Sequence, residues 1–370
     1  MAAKNVLGII FSNAYDEALP ELTALRTMGS IPFAARYRLI DFPLSNMVNA
    51  GIPQVGVITK SNYRSLMDHI GTGKPWDLSR KREGMTLLPP FSSPETGMIK
   101  GKADALYGCI SYIINSNKEY VLLTDCNVVC NMDYEKLIKA HAANDADVTI
   151  AYAKGFPPAI GNSTELAIDE NGRVVGTSVI DCFSSSVNYS LKIMVIRRTL
   201  LERLLHEAHS AKIDDFETII ASNIKHLRVF GYEQQGFVRV LSSLQSYYDI
   251  SLELLKLENR KELFTSDRPV YTKVRDQVPA IYGISAQVSN SLIADGCRID
   301  GEVENSILFR GVTVAKGAKV KNSIIMQGSF VGENSSLECV IIDKAAVVKP
   351  NKMLCGASNY PVYIGKGIVI

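Results

Sequence analysis

Asp125 and Asn127 follow an apolar run, Tyr120 to Thr124, with the length and composition of a buried strand. Two residues apart on an extended backbone, their side chains share a face. The chain thus offers one carboxylate and one amide oxygen at the end of a strand. Hard divalent cations bind such oxygens, and magnesium is usually anchored by carboxylates, so Asp125 is the candidate ligand and Asn127 a weak, neutral neighbour. The plainer reading, a carboxylate that caps the following loop, is preferred. His206 and His209 lie three apart in a helical pattern, but with no third ligand they read as a solvated helix face. Gly71-Thr72-Gly73-Lys74 lacks the Walker spacing and reads as architecture. The basic run Arg80-Lys81-Arg82 could meet a phosphorylated effector or an acidic neighbouring subunit.

The elements that must position these groups are legible. Strand-length apolar runs at Val6 to Phe11, Val55 to Thr59, Tyr120 to Thr124, Val148 to Tyr152 and Ile193 to Ile196 alternate with helical patterns, which predicts an α/β domain with a mostly parallel sheet. Thr199 to Glu202 has capping-box spacing, Asp133 can cap the helix carrying Leu137 and Ile138, and a third helix is predicted from Tyr247 to Leu257. At 370 residues the chain exceeds one compact domain. The predicted division is 1–258, a charged linker 259–280, and 281–370. In the last part Val312, Ala318, Ile324, Phe330, Ser336, Ile342 and Val348 recur every six residues, with glycines 311, 317, 328 and 332 near the corners. That period predicts a parallel β-helix of hexapeptide repeats, in which each coil buries its inward side chains by stacking on the next.

Composition excludes partners more than it suggests them. A net charge of +2 gives no long-range field toward nucleic acid or an anionic membrane. The apolar run after the N-terminus is too short for a signal core or a span, so a cytoplasmic protein is expected. The seven cysteines form no C-x-x-C pair and read as buried thiols, with no metal site expected.

The run Arg36-Tyr37-Arg38-Leu39-Ile40-Asp41-Phe42-Pro43-Leu44-Ser45-Asn46, continuing to Ile52, resembles the signature of the bacterial glucose-1-phosphate adenylyltransferases. The resemblance implies a Rossmann-like nucleotidyltransferase sheet domain, of the GT-A-like kind, followed by a left-handed β-helix. Within the signature Arg38 is placed to pair with Asp41. Gly101-Lys102-Ala103-Asp104-Ala105-Leu106-Tyr107 is similar to a family segment beside nucleotide and sugar, so Lys102, Asp104 and Asp125 are implied to line the substrate cleft, and Arg36 with Arg80, Lys81 and Arg82 to meet effectors or subunits.

Against the family pattern, four functional positions differ. The glycine-rich phosphate loop is replaced by Phe11-Ser12-Asn13-Ala14-Tyr15-Asp16-Glu17, whose acids would oppose phosphate. Met28 stands where the family has a lysine. Asn127 and Val240 stand at the two magnesium aspartates, and Val179 and Ile180 at the Glu-Lys pair that grips the sugar phosphate. Valine supplies no oxygen, so a metal on Asp125 would be half-held. The resemblance therefore implies a non-catalytic or impaired regulatory subunit of glucose-1-phosphate adenylyltransferase in glycogen synthesis. It would bind no cofactor itself and would act on a catalytic paralogue, which carries the Mg2+, in a heterotetramer open to small phosphorylated effectors. The alternative is an active adenylyltransferase whose metal site is rebuilt on Asp125.

Overall fold

The computed structural model describes residues 3–89, 101–158, 163–180 and 185–370. Its centre is a nine-stranded sheet in which Val6–Phe11 lies between Gln54–Ile58 and Tyr120–Asp125, parallel to both, with Gly84–Leu88 beyond Gln54–Ile58. The expected apolar runs are all strands. The sheet is mixed, however: Val187–Arg197 runs antiparallel to both Tyr120–Asp125 and Val148–Gly155, and Val174–Val179 antiparallel to Thr164–Ile168. Both directions bury equally apolar strands when helices cover the two faces, so composition alone did not separate them. Two apolar layers flank the sheet. One contains Leu22, Phe33, Phe42 and Tyr247, and the other is built on Leu201, Leu204 and Leu205 of the helix Arg198–Ala211.

Helix starts are partly as expected. The Asp133 side chain accepts from the Lys136 amide at 3.1 Å and caps Tyr134–Ala143. The helix at 198 begins two residues earlier than a Thr199 cap would start it and carries no side-chain cap. The third helix is Leu244–Glu253, opened by a capping box between Ser243 and Ser246, so it starts and ends earlier than its apolar spacing indicated. Arg38 does not pair with Asp41 through its guanidinium. It donates to the Ser65 carbonyl at 2.6 Å, while Asp41 accepts from the Arg38 amide at 3.0 Å and lies 2.6 Å from His69 Nε2. Cys126 and Cys130 are buried free thiols, whereas Cys355 is exposed.

The stretch expected as a linker begins as the helix Leu257–Leu263 and then runs without helix or strand to residue 280. It is tied down: Ser45 Oγ accepts from the Tyr271 amide at 2.8 Å, and Asn49 donates to the Pro269 carbonyl at 3.0 Å. Beyond it stands the left-handed β-helix, three five-stranded parallel sheets wound together. Along one sheet the coils from Glu302 are 17 residues, as in the register Glu302, Lys319, Ser336, Met353, whereas the coil from Gln287 to Glu302 has 15. The inward residues Val314, Val320, Ile325, Val331, Leu337, Ile342 and Val348 therefore follow a 6-6-5 step. A strict six slips out of phase, which is why Phe330 is 39% exposed. Corner residues adopt the left-handed conformation, Gly311 and Gly328 at φ +70° and +68°, with asparagines at other corners.

The two bodies share a seam. Ile307, Ile324 and Ile341, stacked on the outside of one β-helix sheet, join the same apolar cluster as Phe33 and Tyr247. Arg26 and Asp343 form an ion pair across it with side chains only 4% and 2% exposed. The Tyr248 hydroxyl donates to the Asn322 carbonyl at 2.5 Å, and that of Tyr363 to the Glu21 carbonyl at 2.8 Å.

Candidate functional site

Phe11 and Asp125 are register partners at the carboxyl ends of adjacent parallel strands, the edge at which open α/β sheets place their ligand crevice. The turn after Phe11 is closed by its own polar side chains. Ser12 Oγ donates to the Ile58 carbonyl at 2.8 Å, and Asn13 Oδ1 accepts from the Lys60 amide at 3.0 Å. Asp16 accepts from the Met28 amide at 2.7 Å and also from Asn13. Burial raises the Asp16 carboxyl to about 6, against the pull of those hydrogen bonds. Asp16 is thus a fastener of the turn and does not face the cleft as expected, whereas Glu17 lies on the wall of a cavity of about 860 Å³.

Asn127 and Val240 are brought side by side. Val240 pairs with Val128, the Leu241 amide donates to the Asn127 carbonyl at 2.8 Å, and both side chains line one small pocket. The two positions at which the resemblance expects metal anchors thus converge, carrying an amide and an aliphatic group. Asp125 is 1% exposed and sits beneath Lys102, whose ammonium donates to Asp125 Oδ2 at 2.6 Å and lies 3.7 Å from Glu217 Oε1. Burial by itself would discharge Lys102, yet Asp125, with Tyr15, Glu217 and the hydrogen bond, outweighs it and holds the amine well above its ordinary value. A second amine, Lys192, lies 3.4 Å from Glu217 and 5.2 Å from the Tyr15 ring centre, the same distance as Lys102 from that ring.

Lys192 has φ +57°, a conformation costly for a side-chain-bearing residue, where the pairing of its strand with Val148–Gly155 shifts register. The sequence signalled Tyr15 only as part of the replaced loop and gave no sign of Lys192 or Glu217, because a bulge inside an apolar strand leaves no periodic signal and Glu217 lies on a separate helix. A lone lysine within the run from Val187 to Arg197 was the available clue.

The remaining expected residues separate. Val179 lines the large cavity at 63% exposure, but Ile180 is buried with its amide on the Ser163 carbonyl at 2.9 Å. Met28 is core, 1% exposed. Lys102 reaches the cavity, while Asp104 stays in the first turn of its helix, off the cavity wall. Arg36 is exposed on the turn before Tyr37, near the seam, where its charge and that of Arg275 act on Arg310. Arg80, Lys81 and Arg82 are exposed elsewhere, Arg80 pairing with Asp77 at 2.5 Å. Among the described residues no three His, Cys, Asp or Glu side chains gather into a metal site. No helix among them is long and apolar enough to cross a membrane. The cleft does not fit the magnesium of the resembled family: its buried carboxylate is engaged by an ammonium, and its other two positions offer one amide oxygen between them.

Comparison with known proteins places this geometry. Residues 8–158 match the Nucleotidyl transferase family model, and residues 278–359 match the GlmU-like C-terminal hexapeptide model. The chain is 38% identical to the glycogen biosynthesis protein GlgD of Bacillus subtilis strain 168, over 100% of this chain and 98% of that protein. It is 37% identical to GlgD of Geobacillus stearothermophilus, covering 98% of this chain and 97% of the relative. The glucose-1-phosphate adenylyltransferase of Thermosipho melanesiensis is 33% identical over 85% of this chain and 77% of its own length.

Proposed function

The chain belongs to the glucose-1-phosphate adenylyltransferase family, standing with its GlgD glycogen biosynthesis proteins, and from that premise we propose that it is a catalytically silent subunit regulating a catalytic paralogue. A role in glycogen biosynthesis follows from the relatives. Silence and regulation are the reading that the cleft supports. Transfer of a nucleotidyl group is mostly positioning plus neutralisation of phosphate charge. The observation that carries the reading is the Lys102 ammonium on Asp125: the carboxylate that could have anchored a metal is already neutralised from within. The alternative, in which Asp125 holds the metal of an active enzyme, requires that ion pair to open.

Regulation would act through docked surfaces in a hetero-oligomer, a heterotetramer by analogy with the family, by favouring one arrangement of the catalytic partner. A tenfold change in the partner's effector affinity needs only about 1.4 kcal/mol of coupling. Small phosphorylated effectors would find their counter-charge at the seam near Arg36 and Arg310.

Two assays test the proposal. The purified chain with Mg2+, ATP and glucose 1-phosphate should form no ADP-glucose, and mixing it with the catalytic paralogue should change that enzyme's rate or effector response. ADP-glucose formation by the chain alone, lost in Asp125→Asn, would refute silence. A partner whose kinetics and sedimentation ignore the added chain would refute regulation.

A further inference from the structure

The Lys102 ammonium is the cation that meets the buried carboxylate of this crevice. It touches Asp125 Oδ2 at 2.6 Å, faces Glu217 Oε1 at 3.7 Å, and lies 5.2 and 5.5 Å from the ring centres of Tyr15 and Phe11. Both carboxylates approach one nitrogen atom. Its side chain is 16% exposed and that of Asp125 1%. Two further buried oxygens, Asp125 Oδ1 and Asn127 Oδ1, have no hydrogen-bond partner among the described residues. Orphaned buried oxygens are costly, and at Asp125 the nearby Lys102 charge offsets that cost. Lys192, held in the left-handed region at a strand irregularity, brings a second ammonium to Glu217 and to the Tyr15 ring. Backbone strain that places a charged group in a cleft is the kind that accompanies a function.

These residues disagree with a free divalent ion, and the disagreement has a definite form. We infer that Lys102 is a tethered cation standing in for a divalent ion on Asp125, and that removing it uncovers a one-ion site of oxygen ligands from Asp125 and Glu217. The ligand class is a hard divalent cation, Mg2+ or its paramagnetic equivalent Mn2+. One or two carboxylates, completed by water, is a composition such ions accept. An ammonium differs from the ion in one decisive respect. It is covalently held and bears a single charge, so it satisfies Asp125 permanently and leaves nothing over for a polyphosphate. The inference rests on the cleft being the family's reaction cleft, as the proposed function does, but it stands or falls separately.

Mn2+ alone is the probe, titrated into the full-length chain and followed by loss of the free-ion electron paramagnetic resonance signal. Lys102→Met keeps an unbranched apolar stem, shorter by the terminal nitrogen, and removes the charge. That variant should bind one Mn2+ per chain, and Lys102→Met/Asp125→Asn should lose it. Wild type and Lys102→Arg, which keeps the charge, should bind none. A Lys102→Met chain that folds only when Mn2+ is supplied would also support the inference, since the ion would be replacing the missing charge. Three results would overturn it: a folded Lys102→Met without bound Mn2+, a Lys102→Met that stays unfolded in its presence, or a wild type that binds one Mn2+ through Asp125. The last would leave a silent subunit possible. ADP-glucose formation by a wild type that binds no Mn2+ at Asp125 would end the silent reading while leaving the tethered cation intact.

Discussion

Arg26→Met cuts the buried ion pair that fastens the β-helix to the sheet domain. The Arg26 and Asp343 side chains are 4% and 2% exposed, so the abandoned carboxylate cannot turn to water. Removing one partner of such a pair costs about 3–5 kcal/mol, because the other is left buried and uncompensated. Here the lower end is expected. Asp343 keeps the Tyr363 hydroxyl at 3.1 Å and the Lys344 amide at 2.7 Å. The Lys344 amine, lowered to about 6 by burial and by Arg38 and Arg26, can also recharge once Arg26 is gone. In wild type a lysine with so low a folded value binds fewer protons than the unfolded chain between pH 6 and its ordinary 10.5, so that group favours folding progressively as pH rises through that window. Raising its folded value in the variant weakens that slope, and the Arg26→Met deficit should shrink from pH 8 to pH 6. Urea unfolding followed by Trp76, the single tryptophan and 1% exposed, supplies the readout. Arg26→Met/Asp343→Asn, with no stranded charge, should recover most of the loss, giving a coupling of at least about 2 kcal/mol. Additive single losses would refute the argument that the seam depends on this pair.

Three further perturbations test other contacts. Asp16 titrates near 6 in the fold against an ordinary 3.8, so its ionisation costs nothing below 3.8 and its full amount above 6. Asp16→Asn should therefore stabilise the chain at pH 7.5 by up to about 3 kcal/mol and not at pH 3.5, and an equal gain at both would refute the assignment. His141, lowered to about 4 by burial and then by Arg197, is neutral when folded, so its contribution is complete above 6.5 and is lost as pH falls toward 4. His141→Gln should flatten the acid limb of the stability curve by about 3 kcal/mol, and an unchanged limb would count against it. A Cβ on Gly101 would stand 2.1 Å from the Asp214 carbonyl oxygen, so Gly101→Ala must displace the start of the Lys102 helix. A loss of about 1–3 kcal/mol in urea unfolding is expected, and a variant as stable as wild type would show that this junction yields freely.

Where one side-chain pattern repeats along a continuous segment, the fold was legible. The run Val6 to Phe11 became a strand with the same bounds, and the six-residue period announced a β-helix. The phase was lost at Phe330 because a coil of 17 residues drops one residue from three sixes, a shortening visible only when the coils stack. Strand direction was misjudged for Val187–Arg197, since apolar composition reports burial and not polarity. Asn127 and Val240, each singled out beside a recognisable motif, are neighbours in the fold. Lys192 and Glu217 come from a strand irregularity and a distant helix, with no pattern between them, and only folding puts both against Tyr15 and Lys102.

The cleft's charge balance bears on where a ligand could act. An active site built to receive an anionic substrate through a metal commonly leaves its carboxylates under-compensated until the metal arrives, and ligand binding then stabilises the fold by RT ln(1 + [L]/Kd). Here Asp125 and Glu217 already engage Lys102 and Lys192, and the cavity wall adds Glu17, Asp214 and Asp215, so the crevice has no positive charge to spare for an anion. A phosphate entering it would have to separate an ion pair whose carboxylate is almost fully buried, and the abandoned Asp125 would oppose it. The seam differs in kind. The Arg26 and Arg38 charges both bear on Lys344, which is held largely uncharged at neutral pH. An incoming anion there would be welcomed by Lys344 regaining its proton, and no ion pair need open. Ligand-dependent stabilisation of this chain by phosphorylated compounds should therefore be lost on Lys344→Met and survive Lys102→Met. The reverse pattern would place the response in the cleft and break the division between a crevice with no spare positive charge and a receptive seam.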